Sequence, residues 1–272
     1  MPDLATLLPM LALLLVTGAL AGLVAGLLGV GGGIVLVPAY FYIFTGLGHD
    51  GPGLMRICLA TSLATIIVTS ARSVMSHNRK GAVDWQILRQ WAPGIAVGAL
   101  IGVLVVAQLR TQALQAIFGL LALTVSVYMA LARDDWRLGP QMPGLAVRLP
   151  LSGTVGFLSV LMGIGGGSFG VPLMTLYNVP IHRAVATAAG FGITIALPSA
   201  AAFLLVAVPD APPFTVGAVN MPAFALTIAM TLITAPMGAA LAHRMNPKPL
   251  KRVFAVFLAI VALNMLRKAL GS

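Results

Sequence analysis

Two stretches of this chain could hold a ligand with backbone alone. One is Gly29-Val30-Gly31-Gly32-Gly33-Ile34-Val35-Leu36-Val37-Pro38, and the other is Gly163-Ile164-Gly165-Gly166-Gly167-Ser168-Phe169-Gly170-Val171-Pro172. Glycine lets backbone N–H groups approach a ligand closely, and a helix restarting after the break presents its partially positive N-terminus. Both stretches lie in sequence apolar enough for a bilayer, where a weakened helical backbone must be covered by protein or line a cavity. Facing each other, the two would form an anion cradle from Gly29, Gly31, Gly32, Gly33, Gly163, Gly165, Gly166 and Gly167. The competing reading is helix packing through small residues. That reading suits Gly18, Gly22 and Gly26, and Gly94, Gly98 and Gly102, whose spacing of four marks one helix face. Three consecutive glycines exceed what a packing face needs.

Hydroxyls near these breaks are the next candidates: Thr61, Ser62, Thr65, Ser168 and Thr187. They can donate to an oxyanion without the cost of burying a charge, although Ser and Thr in membrane helices also bond back to their own previous turn. Arg56 and Arg183 open equivalent apolar runs and could attract an anion at opposite mouths, with Arg72 further along as an inner gate. Snorkelling to headgroups is the competing role for each arginine. Cys58, the single cysteine, excludes an intrachain disulfide and reads as a small buried residue.

The acids inform by scarcity. There is no glutamate, and Asp3, Asp50, Asp84, Asp134, Asp135 and Asp210 all fall at loops or run ends; His49, His77, His182 and His243 look equally peripheral. No embedded carboxylate or histidine relay is expected, so transport would be passive or linked to protons through the substrate itself. Ser168 has glycine neighbours like a nucleophile but no histidine within a span to activate it. No enzyme, metal site or cofactor is expected.

These residues sit in a chain of 272 residues that is 59% hydrophobic and only 8% charged, the composition of a helical integral membrane protein. The net charge of +10 comes from Lys and Arg scattered through short loops, not one stripe, which excludes nucleic acid as a partner. Asp3 stands where a secretory signal would be basic, so residues 4 to about 28 read as a retained span.

The chain is also duplicated. An offset of 134 superposes the glycine stretches and pairs Pro38 with Pro172. Ala60-Thr61-Ser62 matches Ala186-Thr187-Ala188 at an offset of 126, because the first copy carries extra loop through Gly46, Gly48, Gly51, Pro52 and Gly53. Gly81-Ala82-Val83-Asp84 matches Gly217-Ala218-Val219-Asn220 at an offset of 136. The expected units are a first membrane repeat, 1–136, and a second, 137–272.

Loop charges test the topology. If each glycine-bearing run were a simple crossing, the cations would divide nine to seven. If each run is a hairpin returning to its own face, one side collects Arg72, Arg79, Lys80, Arg89, Arg133, Arg137, Arg148, Arg183, Arg244, Lys248, Lys251 and Arg252. Only Arg56, Arg110, Arg267 and Lys268 remain opposite, a bias of twelve to four. Residues 149–181 also suit two short arms better than one crossing or two. The expected fold is all-α, with two inverted-topology repeats, each a broken glycine-rich hairpin plus three transmembrane helices, and both termini outside. Inverted repeats with broken helices meeting near the midplane are a recurrent transporter design.

The paired GVGGG and GIGGG motifs with their prolines, the Ala-Thr-Ser step and the loop Arg79-Lys80-Gly81-Ala82-Val83-Asp84-Trp85 resemble the TauE/SafE family of sulfite and organosulfonate transporters, over both halves. The resemblance implies an inner-membrane exporter of small sulfur-containing oxyanions, with a small organic or inorganic anion and the lipid bilayer as partners. A homodimer is left open, as is which anion is carried. One departure is Ala188 where the first half has Ser62, leaving fewer hydroxyls in the second half. A passive anion channel and a noncatalytic membrane scaffold are the alternatives.

Overall fold

The computed structural model describes residues 4–29, 31–131, 136–242 and 247–271. Asp3, Val30, Arg133, Asp134, Asp135, His243 and Arg244 lie outside the described residues. The apolar runs fold as helices α1 (Leu4–Leu28), α2 (Gly33–Gly46), α3 (Leu54–Asn78), α4 (Trp85–Gln108) and α5 (Thr111–Leu131). They continue as α6 (Leu145–Leu161), α7 (Gly167–Leu176), α8 (Ile181–Phe203), α9 (Met221–Ala242) and α10 (Pro247–Leu270). The described structure that is not helical includes one short antiparallel ladder before α9, β1 (Thr215–Val216) with β2 (Val219–Asn220). Among the described residues, five helices, α3, α4, α5, α8 and α9, are long and apolar enough to cross a membrane.

Helix starts follow from local chemistry. The Asp84 carboxylate accepts from the amides of Gln86 and Ile87 to cap α4, and the matching Asn220 side chain accepts from Ala223 to cap α9. Before each cap the chain turns on a left-handed glycine, Gly81 at φ 64° and Gly217 at φ 58°, a backbone state other residues adopt only with strain. The matched sequences therefore make matched corners.

α3 and α8 are buried along most of their length, whereas α4, α5 and α9 expose much of theirs. The exposed positions are apolar, as with Leu100, Leu104, Leu120, Ile233 and Met237, a surface suited to lipid. The outer helices pack through the glycine ridges. On α1, Gly18 faces Thr227, Gly22 faces Thr231 and Gly26 faces Ala235 of α9; on α4, Gly94 faces Ser152, Gly98 faces Gly153 and Gly102 faces Val160 of α6. Residue numbers rise together in both pairs, so each pair runs parallel. The opposite holds at the centre. Gly192 of α8 lies against Ile66 and Ser70, while Val74 clusters with Ala186 and Ala189, so α3 and α8 run antiparallel. Likewise the Ser126 hydroxyl donates to the Ala255 carbonyl at 2.7 Å and Gly119 faces Ala262 and Leu266, making α5 and α10 antiparallel.

Three details differ from the sequence reading. Pro38 and Pro172 do not break their helices but sit within α2 and α7, where each forgoes only one bond to the preceding turn; the breaks fall at the glycines. The two hairpins are unequal where the duplication expects them alike: α6 and α7 are short, at 17 and 10 residues, as read for residues 149–181. By contrast α1 has 25 and at 1.5 Å per residue is about 37 Å long, in keeping with the span read over residues 4 to about 28. His77 is not peripheral: it is buried in the last turn of α3, its Nε2 3.3 Å from the Gly26 carbonyl oxygen of α1.

A Cβ on Gly98 would collide with the Gly153 carbonyl, whereas Gly144 has open space around it. Gly98→Ala is expected to lower stability by about 1–3 kcal/mol through overpacking, and Gly144→Ala to leave it nearly unchanged. Thermal unfolding of the two purified variants checks this contrast.

Candidate functional site

The two glycine stretches meet. A Cβ built on Gly31 would lie 3.0 Å from the Gly165 Cα, and one on Gly33 would strike the Gly163 carbonyl oxygen. The two loops are therefore in backbone contact, and all the glycines of both cradles are buried. Gly29, Gly31 and Gly32 hold φ of 67°, 80° and 80°, and Gly163 holds 60°, the left-handed region that favours glycine. The flanking contacts match across the repeat, since Gly29 abuts Val185 of α8 and Gly163 abuts Leu59 of α3. α2 begins at Gly33 and α7 at Gly167, so two helix N-termini, each with first-turn amides lacking intrahelical acceptors, start at one junction. Gly32 caps α2 in the left-handed region, but Gly166 caps α7 at φ −65° and packs on Phe191. The two cradles are alike in course and unlike in detail.

Of the candidate hydroxyls, Ser62 sits in the junction. It donates to the Gly163 carbonyl at 2.7 Å and lies 2.9 Å from where a Cβ on Gly33 would be. Ala188, its counterpart, lies toward Gly170. Ser168, the second residue of α7, is buried, and its hydroxyl has no partner among the described residues. Thr61 and Thr187 are engaged elsewhere: Thr61 Oγ1 accepts from the Asn220 amide at 3.0 Å and Thr187 Oγ1 from the Asp84 amide at 2.9 Å. Each matched threonine thus anchors the matched helix cap of the other half. Thr65 bonds back to the Thr61 carbonyl at 2.9 Å.

The arginines lie away from the junction. Arg56 Nε donates to the Leu109 carbonyl at 3.0 Å, at the start of α3. Arg183, at the start of the antiparallel α8, is about half exposed and pairs with Asp84 at 3.6 Å. They sit at opposite ends of the α3–α8 pair. Arg72 is exposed on α3. Cys58 is buried.

Sequence reasoning missed one cluster beside the junction. The Tyr40 hydroxyl donates to Thr227 at 2.8 Å and lies 3.3 Å from the Thr65 hydroxyl, all three residues being fully buried. At the repeat offsets of 134, 126 and 136, these positions correspond to Met174, Phe191 and Trp91. In place of hydroxyls, that side stacks Trp91 on Phe191, with centroids 6.3 Å apart. Column-by-column comparison of the two halves would have exposed this polar-for-aromatic exchange.

Multiple apolar helices, a buried centre of helix starts and an exposed apolar belt define a multi-pass integral membrane protein. The profile of the family described as "Sulfite exporter TauE/SafE" matches residues 14–265. The chain belongs to that family and is a membrane transporter protein of it, not an enzyme. A "probable membrane transporter protein" of Haemophilus influenzae is 32% identical over 263 residues, covering 94% of this chain and 98% of that one. One of Methanocaldococcus jannaschii is 27% identical over 268 residues, covering 94% and 96%. No solved structure matches the chain.

The threonine anchors give an ordered prediction. Thr61→Val removes the acceptor of an amide at buried Asn220, and is expected to cost about 1–3 kcal/mol. Thr187→Val should cost less, because Asp84 is partly exposed and water can replace the lost acceptor. Unfolding midpoints of the two variants, compared in one detergent, test the order.

Proposed function

We propose that this protein moves small oxyanions, sulfite or an organosulfonate first among them, by alternately exposing a site at the meeting point of its two glycine loops. The observation that carries the reading is the convergence of two helix N-termini and the Ser62 hydroxyl on one buried junction. Amides and hydroxyls suit this task. They stabilise an anion by dipoles, without a buried countercharge that would hold it permanently. With the loops in contact, an anion enters only when the halves part, which couples occupancy to conformational change.

The same reading takes residues 1–136 and 137–272 as inverted repeats. Its support is the packing pattern: α1 pairs with α9 as α6 does with α4, and the matched helices α3 and α8, like α5 and α10, run antiparallel. An odd number of crossings per half then leaves both termini on the face holding Arg56, Arg110, Arg267 and Lys268, which the charge bias makes the outside. Arg56 and Arg183 stand at opposite mouths, where each can raise the local concentration of anions. Gly29, Gly31, Gly32 and Gly33 with Gly163, Gly165, Gly166, Gly167 and Ser168 form the cradle, and export is its direction.

Reconstituted protein is expected to release trapped sulfite from liposomes, and external unlabelled sulfite should accelerate exit of labelled sulfite. Gly32→Val and Gly166→Val should lower that flux at least about tenfold, a loss of roughly 1.4 kcal/mol of barrier stabilisation or more, while still inserting. Ser62→Ala, a milder change, should lower it less. Wild-type flux in both valine variants overturns the cradle; exit unhelped by counterflow identifies a channel.

A further inference from the structure

At the end of the bundle where α2 and α10 finish, a cavity of 710 Å³ opens beside the start of α5. Three cations line it: Arg110, immediately before α5, and Arg267 and Lys268, in the last turn of α10. Lys268 is held over two rings, its Nζ 5.0 Å from the Phe41 centroid and 4.7 Å from that of Tyr42. The one carboxylate among the described lining residues, Asp50, is exposed on the loop before α3. Cations at a membrane boundary ordinarily reach toward headgroups, and that alone would make no site.

Two further groups do. The Thr45 hydroxyl on the cavity wall is buried and has no partner among the described residues. Polar groups kept from water normally find partners, so an unsatisfied one on this wall marks a place where a ligand or water supplies the bond. Beside it Gln115, 3% exposed, brings a side-chain amide to the same lining. The wall itself is built and fastened. It includes the extra loop that only the first half carries, tied down where Thr111 donates its hydroxyl to the Gly51 carbonyl at 3.1 Å and its amide to the Pro52 carbonyl at 2.8 Å. The N-terminus of the 21-residue α5 opens at the same spot, adding a partial positive charge.

We infer that this cavity is an anion-binding site separate from the glycine junction, taking an oxyanion of one or two negative charges. Among the described lining residues, three cations against one carboxylate leave a net charge that a dianion neutralises. Arginine forks bind phosphate- or sulfate-like oxygens in pairs, and the Gln115 amide and Thr45 hydroxyl complete the shell. Such an anion reaches the cavity either free in solution or as the phosphate of a lipid headgroup. The site stands whether or not the glycine junction carries the transported ion.

The test is thermal unfolding of the purified full-length protein with inorganic phosphate or with short-chain phosphatidylglycerol. Phosphate well above its dissociation constant should raise the wild-type midpoint by about 2–5 °C. The shift should vanish in Arg110→Gln/Arg267→Gln and shrink in Gln115→Leu, a milder variant that serves if the double one does not fold. It should persist in Gly32→Val, which separates this site from the glycine junction. A shift with phosphatidylglycerol alone, lost in the same variants, assigns the site to a lipid headgroup. No shift with either probe, or shifts undiminished in both cavity variants, overturns the inference.

Discussion

Everything in this structure depends on one close approach, of backbone to backbone, between Gly31 and Gly165 and between Gly33 and Gly163. A side chain on Gly31 or Gly33 would hold the loops apart. The approach has an energetic consequence as well as a steric one. Broken helix in an apolar surrounding leaves amides and carbonyls without partners, a cost of several kcal/mol per group in hydrocarbon of order. Burying both breaks against each other lets protein groups, such as the Ser62 hydroxyl on the Gly163 carbonyl, replace what lipid cannot supply. The most buried helices, α3 and α8, flank the junction and shield it.

Around that centre the two halves hold each other by exchange. Thr61 of the first half anchors the cap of α9, and Thr187 of the second anchors the cap of α4. The glycine ridge of α1 lies on α9, and that of α4 lies on α6. Each half's outer helix is thus packed on the other half, so on the proposed mechanism any parting at the centre must be accommodated through these pairs. The flanks of the junction are not equal: hydroxyls of Tyr40, Thr65 and Thr227 line one, and the Trp91–Phe191 stack fills the other. On the proposed mechanism, an asymmetry of this kind would give the two access routes different polarity.

Much of this was legible in the sequence because its signals are local or periodic. The apolar runs became helices, the spacing-of-four glycines became packing ridges, and the glycine stretches became the breaks. Corner sequences around Asp84 and Asn220 produced equivalent caps. Less legible was where side chains point. Thr61 and Ser62 are neighbours in sequence, yet one hydroxyl meets a helix cap and the other the junction, because successive helical positions lie about 100° apart. The prolines do not mark the breaks: each is the sixth residue of its helix, where it gives up one bond to the preceding turn and the helix still continues. The Tyr40 cluster and the α5–α10 cavity join residues far apart in the chain, and no local pattern announces such meetings.

The central claim is that an anion occupies the place where the glycine loops meet. The most direct measurement is a map of the protein crystallised with selenite, a heavier analogue of sulfite whose selenium can be located by anomalous scattering. The account predicts a selenium peak within hydrogen-bonding reach of the amides that begin α2 and α7, with the loops moved apart around it. Selenium found only elsewhere, with the two loops still in contact in protein that transports the ion, would contradict it.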